Sequence, residues 1–388
     1  MKKLLIDEAL EESLDLLRKN STPKGFVASS NNISNYNRIW ARDGVIAGLA
    51  AVISRDKKLV TTFKKTIETL RKYQDKTGRI PSNVTLDGKE VTYGESVGRV
   101  DATLWFAIGN LILLETENIK ESEKIKNSID KILFYLECLE FSGKGLLYIP
   151  ESGDWADEYI NQGYILYDQI LYLIFLTKYG EFYKDKKIKK KAEHLKELIR
   201  VNYFPIHDSD NPFIYNKGLY EKIKKEYVGP LPITYFTASS YSSQADVFAT
   251  SLLVQLGITE KTESAKIIDY IKTISGEGRI TPAFYPPILE EDYEWKQLSN
   301  NHLYEFRNKP FEYHNGGRWP LVNGFFVAAS DDITLLKSFA VKLKKDNYIF
   351  PEFYHGLSSL PMGTGNLSFS ASAYIIAYQD VINKRKIL

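Results

Sequence analysis

The chain has 388 residues, 44% of them hydrophobic, and its 51 Lys and Arg nearly balance 49 Asp and Glu for a net charge of +2. Such a chain can bury a large core, while its charge balance offers no field to attract nucleic acid or an acidic lipid surface. The lone cysteine, Cys138, excludes an internal disulfide and any cysteine-based metal cluster; in FYLECLEF it reads as a small hydrophobe on the buried side of a helix.

The first element is an amphipathic helix over residues 4–18. Its short apolar stretch Leu4-Leu5-Ile6 is cut off by Asp7 and Glu8, too soon for a signal-peptide core. Six nearly charge-free runs then recur, at 44–54, 102–114, 159–177, 247–259, 319–330 and 367–379, the third carrying only Asp168. Between them lie charged segments with one apolar face, beginning at Lys58, Ser122, Lys186, Lys261 and Asp332. A helix without charge on any side is buried all round, and one charged on one face lies outside it. Six inner helices alternating with six outer ones make an all-α (α/α)6 barrel. Length alone suggests two domains, but the sixfold rhythm runs from end to end, so residues 1–388 read as one domain. None of the apolar runs is long and unbroken enough to cross a membrane, and the chain is expected to be soluble and cytoplasmic.

The connections alternate too. Inner-to-outer links are short, whereas outer-to-inner links are long, at 20–42, 75–99, 141–158, 203–246, 275–318 and 346–366. All the long loops therefore open at one end, where function belongs. The segment 84–91 around Asp87-Gly88 reads as a small hairpin. The lysine-rich stretch 184–191 falls on an outer helix and reads as a solvated face. Tyrosine is abundant, with 26 residues, many of them in the long loops, which suits sugar rings with an apolar face and a hydroxyl rim.

Four loop ends carry candidate chemistry. Trp40-Ala41-Arg42-Asp43 precedes the first charge-free run; Asp43 suits either a helix start or a sugar hydroxyl. Glu151-Ser152-Gly153-Asp154-Trp155-Ala156-Asp157-Glu158 sets carboxylates beside an indole, a setting that raises a carboxyl pKa toward general-acid duty, although an acidic loop is also an ordinary solvated feature. Tyr313-His314-Asn315-Gly316-Gly317-Arg318 leads into Trp319-Pro320, where Pro suits a first helical turn. Phe350-Pro351-Glu352-Phe353-Tyr354-His355-Gly356 places one glutamate among aromatics, as a catalytic carboxylate or a buried salt bridge. No HExxH, CxxC, Walker or GxSxG pattern occurs, and the five histidines lack metal-ligand spacing; no metal or cofactor is expected.

In this order the four segments resemble the clan of (α/α)6 glycosidases that includes glycogen-debranching amylo-α-1,6-glucosidases, neutral/alkaline invertases and, more distantly, glucoamylases. GRIPSN at 78–83, GRVDATLWFAIG at 98–109 and YPPI at 285–288 add to the likeness. The resemblance implies that Arg42 and Asp43 grip the terminal sugar, that Asp157 is the general acid and Glu352 the base toward water, and that His314, Trp319 and Trp40 wall the ring. Trp155 joins them as a wall beside the acid, and Asp101 and Gln169, which fall on or beside inner helices near matched segments, are counted with the substrate-binding residues. Asp stands at 154 where debranching enzymes carry Thr, which makes Asp154 a rival acid, and Tyr167-Asp168-Gln169 also departs from relatives. The implied activity is exo-acting, inverting hydrolysis of an α-glucoside, with a small carbohydrate as substrate. Sucrose hydrolysis, sugar epimerisation through His314 and His355, and sugar binding without catalysis are the alternatives on the same scaffold.

Overall fold

The computed structural model describes residues 4–31, 33, 35–94 and 97–388. Each charge-free run contains a helix: α2 (Ala41–Ser54), α4 (Val100–Thr116), α6 (Leu166–Phe182), α9 (Val247–Gln255), α12 (Pro320–Ser330) and α14 (Ser368–Asn383). The amphipathic segments form α1 (Leu5–Lys19), α3 (Lys57–Lys72), α5 (Glu123–Cys138), α7 (Lys186–Tyr203), α10 (Lys261–Ser275) and α13 (Ile333–Lys345). Two more, α8 (Lys217–Glu226) and α11 (Trp295–Asn300), lie inside the fourth and fifth long loops, where no helix was expected.

The six inner helices pack in the cyclic order α2, α4, α6, α9, α12, α14, and α14 closes on α2. The fold is an (α/α)6 barrel. Burial follows from composition: every residue from Val100 to Leu114 is buried, including Asp101 and Asn110, whereas α3 buries one stripe through Leu59, Phe63, Ile67 and Leu70. The outer helices start on polar caps that absorb orphan N–H groups: the Asp56, Asp185 and Asp332 carboxylates and the Ser122 hydroxyl accept from first-turn amides.

The third inner helix begins later than its charge-free run. Residues 159–165 are loop and a short strand, Tyr164–Ile165, paired with Tyr235–Phe236. Similar pairings stitch the loops around the mouth. Arg38–Trp40 pairs with Asn83–Thr85, and that strand with Val91–Thr92, the expected hairpin. Ala245–Asp246 pairs with Phe284–Tyr285, Arg318 bridges Tyr354, and Ser29 bridges Leu367. The Val100 amide donates to the Gly153 carbonyl at 2.9 Å, which completes the circle.

Cys138 corrects an expectation: it is exposed. It is the last residue of α5, two positions and about 200° round the helix from Leu136 of the buried stripe Ile129, Ile132, Leu136, so it faces away from the core. His194 is exposed and the lysines of α7 are mostly solvated, as expected.

Close helix approach depends on glycine. A Cβ at Gly324 of α12 would lie 2.4 Å from the Ala373 carbonyl oxygen of α14, a contact with backbone that cannot swing aside. In an isolated helix Gly→Ala is favourable by about 1 kcal/mol. Gly324→Ala is expected instead to destabilise the protein by about 1–3 kcal/mol, read as a lower urea midpoint at unchanged slope.

Candidate active site

Helix N-termini present backbone N–H groups without intrahelical partners and the positive end of the helix dipole. All six inner helices direct theirs to the end carrying the long loops. Four successive members of the ring answer with aspartate. Asp43, Asp101 and Asp168 occupy first turns of α2, α4 and α6, and Asp246 caps α9, accepting from the Ala249 amide at 3.0 Å. All four are buried. Arg42 donates to Asp101 at 2.7 Å. Burial pushes Asp43 up to about 6 against the pull of Arg42.

Above this floor stand two carboxylates. Asp157 retains 22% side-chain exposure and forms an ion pair with Arg99. Burial alone would raise its pKa, but Arg99 and Arg42 outweigh it and hold the group below its ordinary value. Its backbone is fixed from the fifth loop: the Asp157 carbonyl accepts from Asn308 Nδ2 and His314 Nδ1, each at 3.3 Å, and the Glu158 carbonyl accepts from Asn308 at 3.0 Å.

Glu352 is nearly enclosed. The Tyr36 hydroxyl lies 2.9 Å from both of its oxygens, and its backbone N–H donates to the Thr364 carbonyl at 2.8 Å. Gly363, at φ +69°, presses so closely that a Cβ there would sit 2.4 Å from Glu352 Oε2. Burial pushes Glu352 up to about 7, against the hydrogen bond from Tyr36 and the charge of Arg307. Asp157 acts on it as a like charge, so the two carboxylates share one electrostatic environment. Arg307 stacks 4.1 Å from the Tyr313 ring centroid, and its guanidinium is 3.6 Å from Glu158.

The aromatic wall is a stack. His314 lies face to face with Trp319, centroids 4.8 Å apart, and Trp319 continues onto Phe353 and Phe369, each at 5.9 Å. Burial lowers His314 to about 3, so the ring is neutral. With Nδ1–H donating to the Asp157 carbonyl, Nε2 is left as a buried acceptor that has no partner among the described residues. Trp40 is half-buried at the start of α2 and donates to the Asn35 carbonyl at 2.9 Å.

Three expectations change. Gln169 does not face a ligand: it is wholly buried, and its amide binds both backbone groups of Leu147 at 2.9 Å. Trp155 lies under the wall rather than on it, 1% exposed, edge-on to His314 and Trp319, its indole N–H given to Asp246 at 2.8 Å. Asp154 is no rival to Asp157 for a ligand, being fully buried with one oxygen taken by the Ala156 amide and the other by Asn161. Four site residues were not singled out from sequence: Tyr36, Arg99, Arg307 and Asn308. Arg99 falls in the matched GRVDATLW stretch, a signal available but unassigned; the others occupy loops without periodicity. A separate cleft of about 490 Å³ on the barrel flank, lined by Lys272, Arg279, Asn323 and Asp332, does not reach the carboxylates. Among the described residues no group of three or more His, Cys, Asp or Glu is arranged to hold a metal ion.

No protein-family model and no curated protein matches this chain. Solved structures do. A bacterial glucoamylase complexed with acarbose superimposes with a TM-score of 0.66 at 16% identity, over 98% of this chain and 56% of that one. A glycosidase in complex with glucose gives 0.65 at 12% identity over 97% of both chains. The mannosylglycerate hydrolase of Thermus thermophilus gives 0.55 at 15% identity, covering 95% of this chain and 99% of that one. At these identities the likeness shows the barrel fold.

Tyr36→Phe removes the donor shared by both Glu352 oxygens. The Glu352 carboxyl is then expected to titrate above its present position near 7, measured by carbon NMR of side-chain-labelled protein, with Glu352→Gln identifying the signal.

Proposed function

We propose that this chain is a glycoside hydrolase in which Asp157 protonates the glycosidic oxygen and Glu352 activates water. One observation carries the reading. The loops bearing the two carboxylates lead into α6 and α14, three places apart in the six-helix ring and therefore on opposite walls, above a floor that holds Arg42, Asp43 and Asp101. Two carboxylates flanking a sugar ring are the machinery of glycoside hydrolysis, and where a water fits between the base and the ring the anomeric centre is inverted. The whole chain serves as the catalytic domain, and the buried aspartates beneath the two carboxylates support entry of a terminal sugar from the loop end, hence exo action. The order of the Trp-x-Arg-Asp, Asp-Trp-x-Asp, His-Asn-Gly-Gly and Pro-Glu-Phe-Tyr segments supports an α-glucoside of the amylo-α-1,6-glucosidase type. The glucoamylase and glycosidase neighbours, complexed with acarbose and glucose, are in keeping with such a substrate.

Catalysis begins with Arg42 and Asp43 holding the terminal sugar by its hydroxyls. The glycosidic oxygen displaces Arg99 from the Asp157 carboxylate; loss of that cation moves the carboxyl pKa upward, toward proton-donor duty. As the bond to the leaving oxygen breaks, Asp157 delivers its proton. Glu352, ionised and oriented by Tyr36, takes a proton from the water that attacks the anomeric carbon from the far side. An α-glucoside then releases β-glucose first.

A second reading exchanges the two roles, and one observation favours it: the arginines keep Asp157 ionised while burial keeps Glu352 proton-rich. The pH profile separates them by sign. A base near 7 must be ionised to work, so kcat/KM is expected to rise as pH passes through about 7; a fall there assigns the acid role to Glu352.

Substitution gives an independent check. Asp157→Asn is expected to cost about 10²–10⁴-fold on poor leaving groups and much less on an activated aryl glucoside. Sucrose and isomaltose assayed side by side test the linkage. Absence of turnover on every glycoside, with sugar binding retained, would refute the hydrolase reading.

A further inference from the structure

The proposed mechanism makes no use of the cleft on the barrel flank. It opens between the outer helices α10 and α13, with Asn323 and Phe326 of the inner helix α12 at its back. Its volume of about 490 Å³ lies within the roughly 300–1,000 Å³ of small-molecule sites.

Local structure explains the gap. Helix α10 ends at Ser275, and the chain then turns inward to Thr281. Thr281 is bolted to α12: its N–H and hydroxyl both donate to Asn323 Oδ1, at 3.2 and 2.9 Å, and its carbonyl accepts from the Trp319 amide at 3.0 Å. On the α13 side, Lys272 Nζ meets Asp332 Oδ2 at 2.9 Å. Asp332 also takes the Thr334 amide and hydroxyl, at 2.8 and 2.6 Å. That lysine and that aspartate therefore cancel.

The polar groups left over are donors in want of acceptors. Asn323 is only 6% exposed, and because Thr281 fixes its oxygen, Nδ2 is the atom left for the cleft; it has no hydrogen-bond partner among the described residues. The exposed Arg279 side chain lines the same cleft, and so does the Ser338 hydroxyl, each likewise without a partner among the described residues. Behind the rim, buried Arg318 gives Nε to the Gly356 carbonyl and Nη1 to the Ser275 and Ile280 carbonyls, all at 2.7 Å. Ser275 and Ile280 line the cleft. Burial, and after it the like charge of Arg279, push the Arg318 guanidinium down to about 10. A buried cation served by neutral carbonyls alone, with a second cation nearby, is costly. Glu277 on the same turn is exposed and forms no ion pair with either arginine among the described residues. Negative charge from outside the chain would complete this corner.

We propose that the flank cleft binds a small anionic sugar, a sugar phosphate or a sugar acid, with its oxyanion on Arg279 and its hydroxyls on Asn323 Nδ2 and Ser338 Oγ. A guanidinium pairs with phosphate and carboxylate through the same forked geometry, while the amide and hydroxyl suit a polyol. This is a second site, separated from the two carboxylates by the Trp319 wall, and it does not depend on the hydrolase reading.

Calorimetric titration of the full chain tests it. Excess glucose in the cell fills the proposed active site. Glucose 1-phosphate and glucuronate are then titrated separately, and inorganic phosphate is the control. One of the two anionic sugars is expected to bind with a dissociation constant below about 1 mM, and the stronger identifies the anion. Arg279→Gln, a change at an exposed side chain, is expected to weaken that binding about tenfold or more. Asn323→Asp keeps the oxygen that Thr281 uses and replaces the free N–H donors with an acceptor; it is expected to weaken binding as far. If Asn323→Asp does not fold, Ser338→Ala is titrated in its place with the same direction expected. No heat from either anionic sugar overturns the proposal. Inorganic phosphate binding as tightly overturns it too, since the sugar then contributes nothing, and so does unchanged affinity in Arg279→Gln. Turnover of an aryl glucoside scores the hydrolase reading separately.

Discussion

The loop-bearing end of this barrel is organised by the convergence of six helix N-termini. Closing the ring α2, α4, α6, α9, α12, α14 brings their unpaired N–H groups and positive dipole ends to one place. That field selects carboxylates, and Asp43, Asp101, Asp168 and Asp246 supply them. Burial raises Asp43, Asp168 and Asp246 toward the neutral form, while Asp101 is paired with Arg42. Arg99 lies apart from these four, between the Asp154 backbone and the Asp157 side chain.

Within that set, two chemically similar groups are driven apart. Asp157 keeps a share of solvent and an arginine, which hold its pKa below the ordinary value; Glu352 is 6% exposed, and its burial outweighs the hydrogen bond from Tyr36 and the charge of Arg307, pushing it up to about 7. The difference arises from partners rather than residue type, because burial raises both. It also makes each carboxylate's protonation sensitive to whatever enters the pocket, since a ligand that displaces Arg99 changes the balance directly.

The wall and rim show how loops without regular structure become rigid. Short strand pairs and bridges link the long loops to one another around the mouth. Polar side chains lock the fifth loop to the third, with Asn308 spanning the Asp157 and Glu158 carbonyls and the His314 amide. The His314, Trp319 and Phe353 rings stack behind them, with Trp155 as a buried support rather than a contact surface. Backbone groups that would be orphaned in a loop are paired in this way, so side chains on long loops can hold fixed positions.

The architecture was legible in the sequence because an inner helix must be apolar on all sides and an outer one on a single side, and that contrast survives without coordinates. That the loop ends bearing Arg42, Asp43, Asp157, His314 and Glu352 gather at one end of the barrel was legible too, since every long loop leads from an outer helix into an inner one. Only the tertiary structure decided which of those polar groups face the pocket. Asp154 and Asp157 are three residues apart in one acidic loop, yet one turns into the core and the other to solvent. Gln169 looked like a pocket residue and proved to hold the loop backbone. Tyr36, Arg99 and Arg307 reach the carboxylates from other loops, and no spacing encodes such meetings. Periodicity reports the burial of a face, a local property repeated along the chain. Hydrogen-bond partners across the mouth are fixed by ring closure, which a linear sequence does not display.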